Sequence, residues 1–157
     1  MKLVIASDKS GFYLKEAIKA YLTETGVDFD DLGTQSVDSP IPYFECAAMV
    51  SPLVANGDYD KAILICGTGA GMAVVANKFY GVYAVACESL YSAKMCRSIN
   101  NANVLCMGGW IVGPEMGVEM AKAFIETEFL QGLEQWRQTF LTNAELEVKK
   151  IEEKANV

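Results

Sequence analysis

The chain has 157 residues, 52% of them apolar, with 13 basic and 20 acidic side chains, a formal charge of −7 and no histidine. That length suits one domain over residues 1–157 around one hydrophobic core, and the apolar content argues against disorder. An acidic chain without a run of Lys and Arg lacks the counterion-releasing patch of a nucleic-acid binder, and without histidine neither His-ligated zinc nor a Ser–His or Cys–His pair is available.

The first apolar run, residues 3–6, leads into Ser7-Asp8-Lys9 rather than into a signal-peptide h-region. No apolar window approaches the roughly 18 residues of a membrane span, so the expectation is a cytoplasmic protein with no membrane partner. Between Gly11 and Gly26, Leu14, Ile18, Tyr21 and Leu22 fall on one helical stripe. A second apolar run covers 27–32, and residues 33–43, with two prolines, form an irregular loop near a site. Further runs occupy 62–66, 82–87 and 103–107. Continuous apolar strands alternating with helices mark an α/β protein whose five-stranded parallel sheet is covered on both faces.

Behind Gly113-Pro114, where proline suits a first helical turn, Met116, Met120, Ala121 and Phe124 make another stripe. A last helix over about 133–154 puts Ala144, Val148 and Ile151 on one side and pairs Glu145 with Lys149. It is long for a packing helix at a chain end and reads as one that embraces a partner subunit. The five cysteines, at 46, 66, 87, 96 and 106, are odd in number and scattered, which fits free thiols better than a disulfide framework.

In an open parallel sheet the ligand lies beyond the carboxyl ends of the strands. The richest such junction is ICGTGAGM, residues 65–72. Its three glycines let backbone approach a ligand, and the helix that follows offers unpaired N–H groups and a positive dipole to an anion. A thiol there is expected to ionise more readily, which makes Cys66 a thiolate candidate. The spacing meets neither the dinucleotide fingerprint nor the P-loop. Taken alone, the loop is equally readable as a structural turn with a buried thiol. Asp8, ending the first strand, is a site residue or a helix cap.

ICGTGAGM with Ala76-Asn77-Lys78, preceded by SDKSGF (7–12) and DLGT (31–34) and followed by NNANVL (100–105) and IVGPE (111–115), resembles the ribose-5-phosphate isomerase B and galactose-6-phosphate isomerase family to about Arg137. The resemblance implies a Rossmann-like three-layer α/β/α sandwich with no metal and no cofactor. It also implies a homodimer or tetramer whose active sites lie at the subunit interface, and a sugar or sugar phosphate as substrate. Carried over by position, Cys66 matches the general base that moves a proton between C1 and C2 through an enediolate. Thr68 and the amides around Gly67, Gly69, Ala70 and Gly71 match the groups that hold the intermediate's oxygen. Asp8 and Asn100 match positions that bind sugar hydroxyls, and Arg137 matches a phosphate-binding arginine often supplied by the other subunit. Ala70 stands where other relatives carry a glutamate base.

Several family positions differ. Lys9 and Ile99 replace histidines, the second of which opens the sugar ring; Trp110 and Leu133 replace phosphate-binding arginines; and the segment 39–43 departs from the usual pattern. A substrate that cannot cyclise, such as a tetrulose phosphate, needs no ring-opening acid, and Lys9 then supplies a compact charge for its anion. The function expected is therefore aldose–ketose isomerisation of a small open-chain sugar. The competing readings are a substrate without phosphate, or a catalytically silent sugar-binding subunit that supports an active paralogue.

Overall fold

Among the residues the computed structural model describes, 1–155, five strands and six helices follow one another; Asn156 and Val157, the end of the expected 1–157 domain, lie outside them. In chain order these are β1 (Leu3–Ser7), α1 (Phe12–Glu24), β2 (Phe29–Asp31), α2 (Tyr43–Ala55), β3 (Lys61–Cys66), α3 (Ala70–Ala76), β4 (Ala84–Ala86), α4 (Leu90–Asn100), β5 (Val104–Gly108), α5 (Pro114–Glu126) and α6 (Gln135–Ala155). Every strand pairing is parallel, in the order β2-β1-β3-β5-β4.

The three central strands are buried from end to end because helices cover both faces. Alternate residues divide between two cores. Leu3, Ile5, Ile63, Ile65, Leu105 and Met107 pack against α1, α4 and α5, while Val4, Ala6, Ala62, Leu64, Val104 and Cys106 pack against α2 and α3. This is the three-layer α/β/α sandwich expected, long terminal helix included.

The edges are shorter than their apolar runs. Of residues 27–32 only three form β2, and of 82–87 only three form β4, although the Leu32 amide still donates to the Ile5 carbonyl at 3.1 Å and the Cys87 amide to the Cys106 carbonyl at 2.9 Å. On α1, Leu14, Ile18 and Leu22 are buried as expected, but Lys15 joins them at 0% exposure, its ammonium paired with Asp31 at the end of β2 and with Glu16 at 3.0 Å. On α5, Met120, Ala121 and Phe124 are buried while Met116 is 47% exposed; Gly117, not Met116, meets Leu14. The terminal helix starts at Gln135 rather than 133 and buries none of its side chains. Its Glu145–Lys149 pair forms at 3.3 Å. No helix among the described residues is long and apolar enough to cross a membrane.

The chain leaves β1 toward β2 on one side and returns to β3 on the other. The loops after β1 and β3 therefore diverge, and a crevice opens between their carboxyl ends. Asp8 and Cys66 stand at that switch point.

Candidate active site

Cys66 closes β3 and is 5% exposed, at the floor of the loop it begins. The amide of Gly69 donates to its Sγ at 3.1 Å. Gly69 has φ +80°, and a Cβ there would stand 2.9 Å from the Met107 backbone, so the turn that returns this amide to the sulfur excludes any other residue. Thr68 is exposed, and its Oγ1 accepts the Ala70 amide at 3.4 Å. The amides of Gly71 and Met72 open α3 as first-turn donors with no partner inside the helix. A Cβ on Gly71 would meet the Tyr43 ring at 2.8 Å, which brings the end of the 33–43 segment against the loop.

From the β1 side, the Asp8 Oδ1 accepts the Gly11 amide at 3.0 Å. Burial raises this carboxyl above its ordinary value, against the pull of the Gly11 and Ser10 amides. Asp8 does not cap α1, whose N-cap is Gly11. Lys9 is exposed. From the β5 side, the Gly109 amide donates to the Cys66 carbonyl at 2.8 Å and the Trp110 amide to the Gly67 carbonyl at 3.0 Å. Trp110 lays its ring on Gly67, 2.8 Å from where a Cβ would be. By sequence Trp110 reads as a replaced arginine, as an aromatic ring able to cover a sugar face, which favours a substrate without phosphate, or as packing at a subunit interface; the Gly108-Gly109 pair before it is the sequence signal for so close an approach.

The neighbouring thiols differ in kind. Cys46 donates to the Ser7 carbonyl at 3.3 Å, and burial, followed by the charge of Asp8, pushes it up to about 12. Cys106 is held well above the ordinary thiol range by burial and then by Cys66 beside it. Both fill the core.

Asn100 and Arg137 stand elsewhere. Asn100 ends α4, just before β5 begins, and Val104 pairs with Ala62 at the start of β3. In one chain it therefore lies at the opposite end of the sheet from Cys66. It lines a cavity of about 410 Å³ with Ile99 and the α6 residues Leu141, Ala144 and Val148. Arg137, near the start of α6, is half-buried and pairs with no carboxylate among the described residues. One chain thus brings together Asp8, Lys9 and the loop 66–71, but neither Asn100 nor Arg137.

A sulfur that accepts an amide, free helix-start amides beside it and a carboxyl with a raised pKa are what carbon-to-carbon proton transfer through an oxyanion requires. Residues 3–140 match the model of the family described as Ribose/Galactose Isomerase. The chain belongs to that ribose/galactose isomerase family. It is 54% identical over 153 residues to a 4-deoxy-4-sulfo-D-erythrose isomerase of Clostridium sp. strain MSTE9, an alignment covering 98% of this chain and 96% of that protein. A D-erythrulose-4-phosphate isomerase of Mycolicibacterium smegmatis is 39% identical, with 82% and 86% covered. Among solved structures, the ribose-5-phosphate isomerase B of Clostridium thermocellum superposes with TM-score 0.88 at 32% identity, covering 99% of each chain. This ribose/galactose isomerase family member is an aldose–ketose isomerase.

Proposed function

We propose that this isomerase interconverts an open-chain four-carbon aldose and its ketose, with a sulfonate on C4 and Cys66 as the base. The Cys66 thiolate takes the proton from C2, the electron pair moves into the C1–C2 bond, and the charge arriving on the oxygen of C1 is met by Thr68 and the amides of Gly67, Gly69, Ala70 and Gly71. Asp8 passes the hydroxyl proton from the oxygen of C2 to that of C1. The thiol then returns a proton to C1, which leaves the ketone at C2 and the sulfur ionised again.

The observation that carries the substrate is the 54% identity, over 98% of the chain, to an isomerase of 4-deoxy-4-sulfo-D-erythrose. Sulfur on C4 leaves no hydroxyl to close a furanose ring, and a chain with no histidine has none to open one. A C4 phosphate blocks the same oxygen. It is the second reading, favoured by the likeness to the D-erythrulose-4-phosphate isomerase.

Asn100 and Arg137 serve the site of a second copy in a homodimer, where the unpaired guanidinium holds the terminal anion. Supporting this, α6 exposes Trp136, Phe140, Val148 and Ile151, an apolar face of the kind that subunits cover. Five free thiols suit the reducing cytoplasm.

Solvent-deuterium exchange at C1 and C2, followed by NMR over tetroses, pentoses and hexoses with and without a terminal anion, tests the substrate. Turnover confined to ribose 5-phosphate refutes it. Cys66→Ala is expected to lower kcat by at least about 10²-fold, and an undiminished rate removes Cys66 from the mechanism.

A further inference from the structure

We infer that Trp110 determines specificity at this site, its indole edge receiving the anionic end of the substrate; the inference rests on the tetrose reading above.

Trp110 is fixed at its backbone and open at its ring. Its amide is bonded to the Gly67 carbonyl, and Gly109 before it lies against the Ser10 carbonyl, so the loops after β1, β3 and β5 meet under the indole. The atoms touching Gly67 are Cε3, Cζ3 and Cδ2, the benzo side of the ring system. The indole nitrogen is not among these closest atoms. The side chain is 75% exposed, although tryptophan is among the most buried residue types on average.

The other tryptophan offers a contrast. Trp136 donates its Nε1–H to Glu134 at 2.5 Å, whereas the Nε1–H of Trp110 has no protein acceptor among the described residues. With C1 and C2 over Cys66, a ring lying on the next residue faces the distal part of the substrate, C3 and C4. The rim of an aromatic ring is the positive part of its quadrupole, and the N–H lies in that rim. A sulfonate there gains a neutral hydrogen-bond donor beside the two cations the site offers it, Lys9 on the adjoining loop and the Arg137 of a second copy.

Two measurements test this. In the first, Trp110→Phe, which keeps the packing on Gly67 and removes the donor, is assayed on 4-deoxy-4-sulfo-D-erythrose and on 2,3-dihydroxybutanal, the same chain without its anion. We expect kcat/KM to fall about tenfold on the sulfonated sugar through a higher KM, and less than about twofold on the neutral one. An equal fall on both, or none, reduces the indole to packing and overturns the inference. In the second, Trp136→Phe leaves Trp110 as the lone tryptophan among seven tyrosines, and its emission, excited beyond the tyrosine absorption, is followed against 4-deoxy-4-sulfoerythronate and 2,3-dihydroxybutanoate. Saturable change, tighter for the sulfonate, is expected. No response from an enzyme that turns over the sulfonated sugar, or a blue-shifted emission that no ligand alters, as when a partner subunit covers the ring, contradicts it. If no tetrose is isomerised yet the lone tryptophan still titrates with the sulfonate, the tetrose reading fails while the anion contact stands.

Discussion

Gly57 and Gly69 hold nearly the same left-handed backbone, with φ of 78° and 80°. A Cβ on Gly57 meets nothing within 4 Å, whereas one on Gly69 stands 2.9 Å from the backbone of Met107. Met107 belongs to β5, paired on both sides by β3 and β4, and cannot retreat. Gly57→Ala should therefore cost the conformational penalty alone, about 1 kcal/mol, and leave kcat unchanged. Gly69→Ala adds overpacking of about 1–3 kcal/mol, and because the Gly69 amide is the donor to Cys66, kcat should drop about tenfold or more. Urea melts and isomerase assays on the two variants check this; matching losses would mean the 66–69 turn has no special hold on the sulfur. The same reasoning separates Cys66 from Cys46: one sulfur accepts an amide, the other gives its proton to a carbonyl, at 3.1 and 3.3 Å.

Among the elements, the junction of α1 with β2 carries the ionic group that periodicity did not reveal. Burial works against ionisation of Asp31, yet the hydrogen bonds from Lys15 and Lys19, with the Gly33 amide, hold its carboxyl below the ordinary value of 3.8. A carboxyl lowered by folding stabilises the native state fully above its unfolded pKa, and that contribution disappears as pH falls through the lower folded value. Melting temperature should accordingly decline below about pH 4. In Asp31→Asn this acid limb flattens while stability near neutral pH falls by about 3 kcal/mol, the low end for a broken buried pair, since Glu16 stays 3.0 Å from Lys15. A melting curve at each pH, for both proteins, decides it; an unchanged acid limb in the variant would assign the decline to other carboxyls. Lys15 sits on a stripe that reads as apolar, and its partner lies sixteen residues on, in another element, so no local period could announce it. The central strands were legible because burial on both faces requires unbroken apolar runs. The limits of β2 and β4 were not, because Leu32 and Cys87 carry the apolar run past the strand and each keep one bond to the neighbouring strand. The loop 65–72 was readable from its glycines, whereas the approach of Trp110 to Gly67 depends on three loops converging.

For the whole molecule, the parallel sheet places Cys66 at the carboxyl ends of its strands and Asn100 before the start of β5. A site that uses both residues must draw them from two chains, and a twofold axis then builds two such sites per dimer. In the proposed dimer Arg137, on a helix that buries none of its own side chains, is supplied in the same way. Complementation reads this directly. Cys66→Ala and Arg137→Ala homodimers are each defective at both sites. In a heterodimer, one site collects both substitutions and the other collects neither. Unbiased mixing makes about half of the dimers heterodimers, so about a quarter of wild-type activity should return on co-expression or co-refolding. Mixing already-folded dimers should restore less, at a rate set by subunit exchange. If the co-refolded mixture is no more active than its components, Arg137 does not complete a site across the interface, and α6 serves assembly alone.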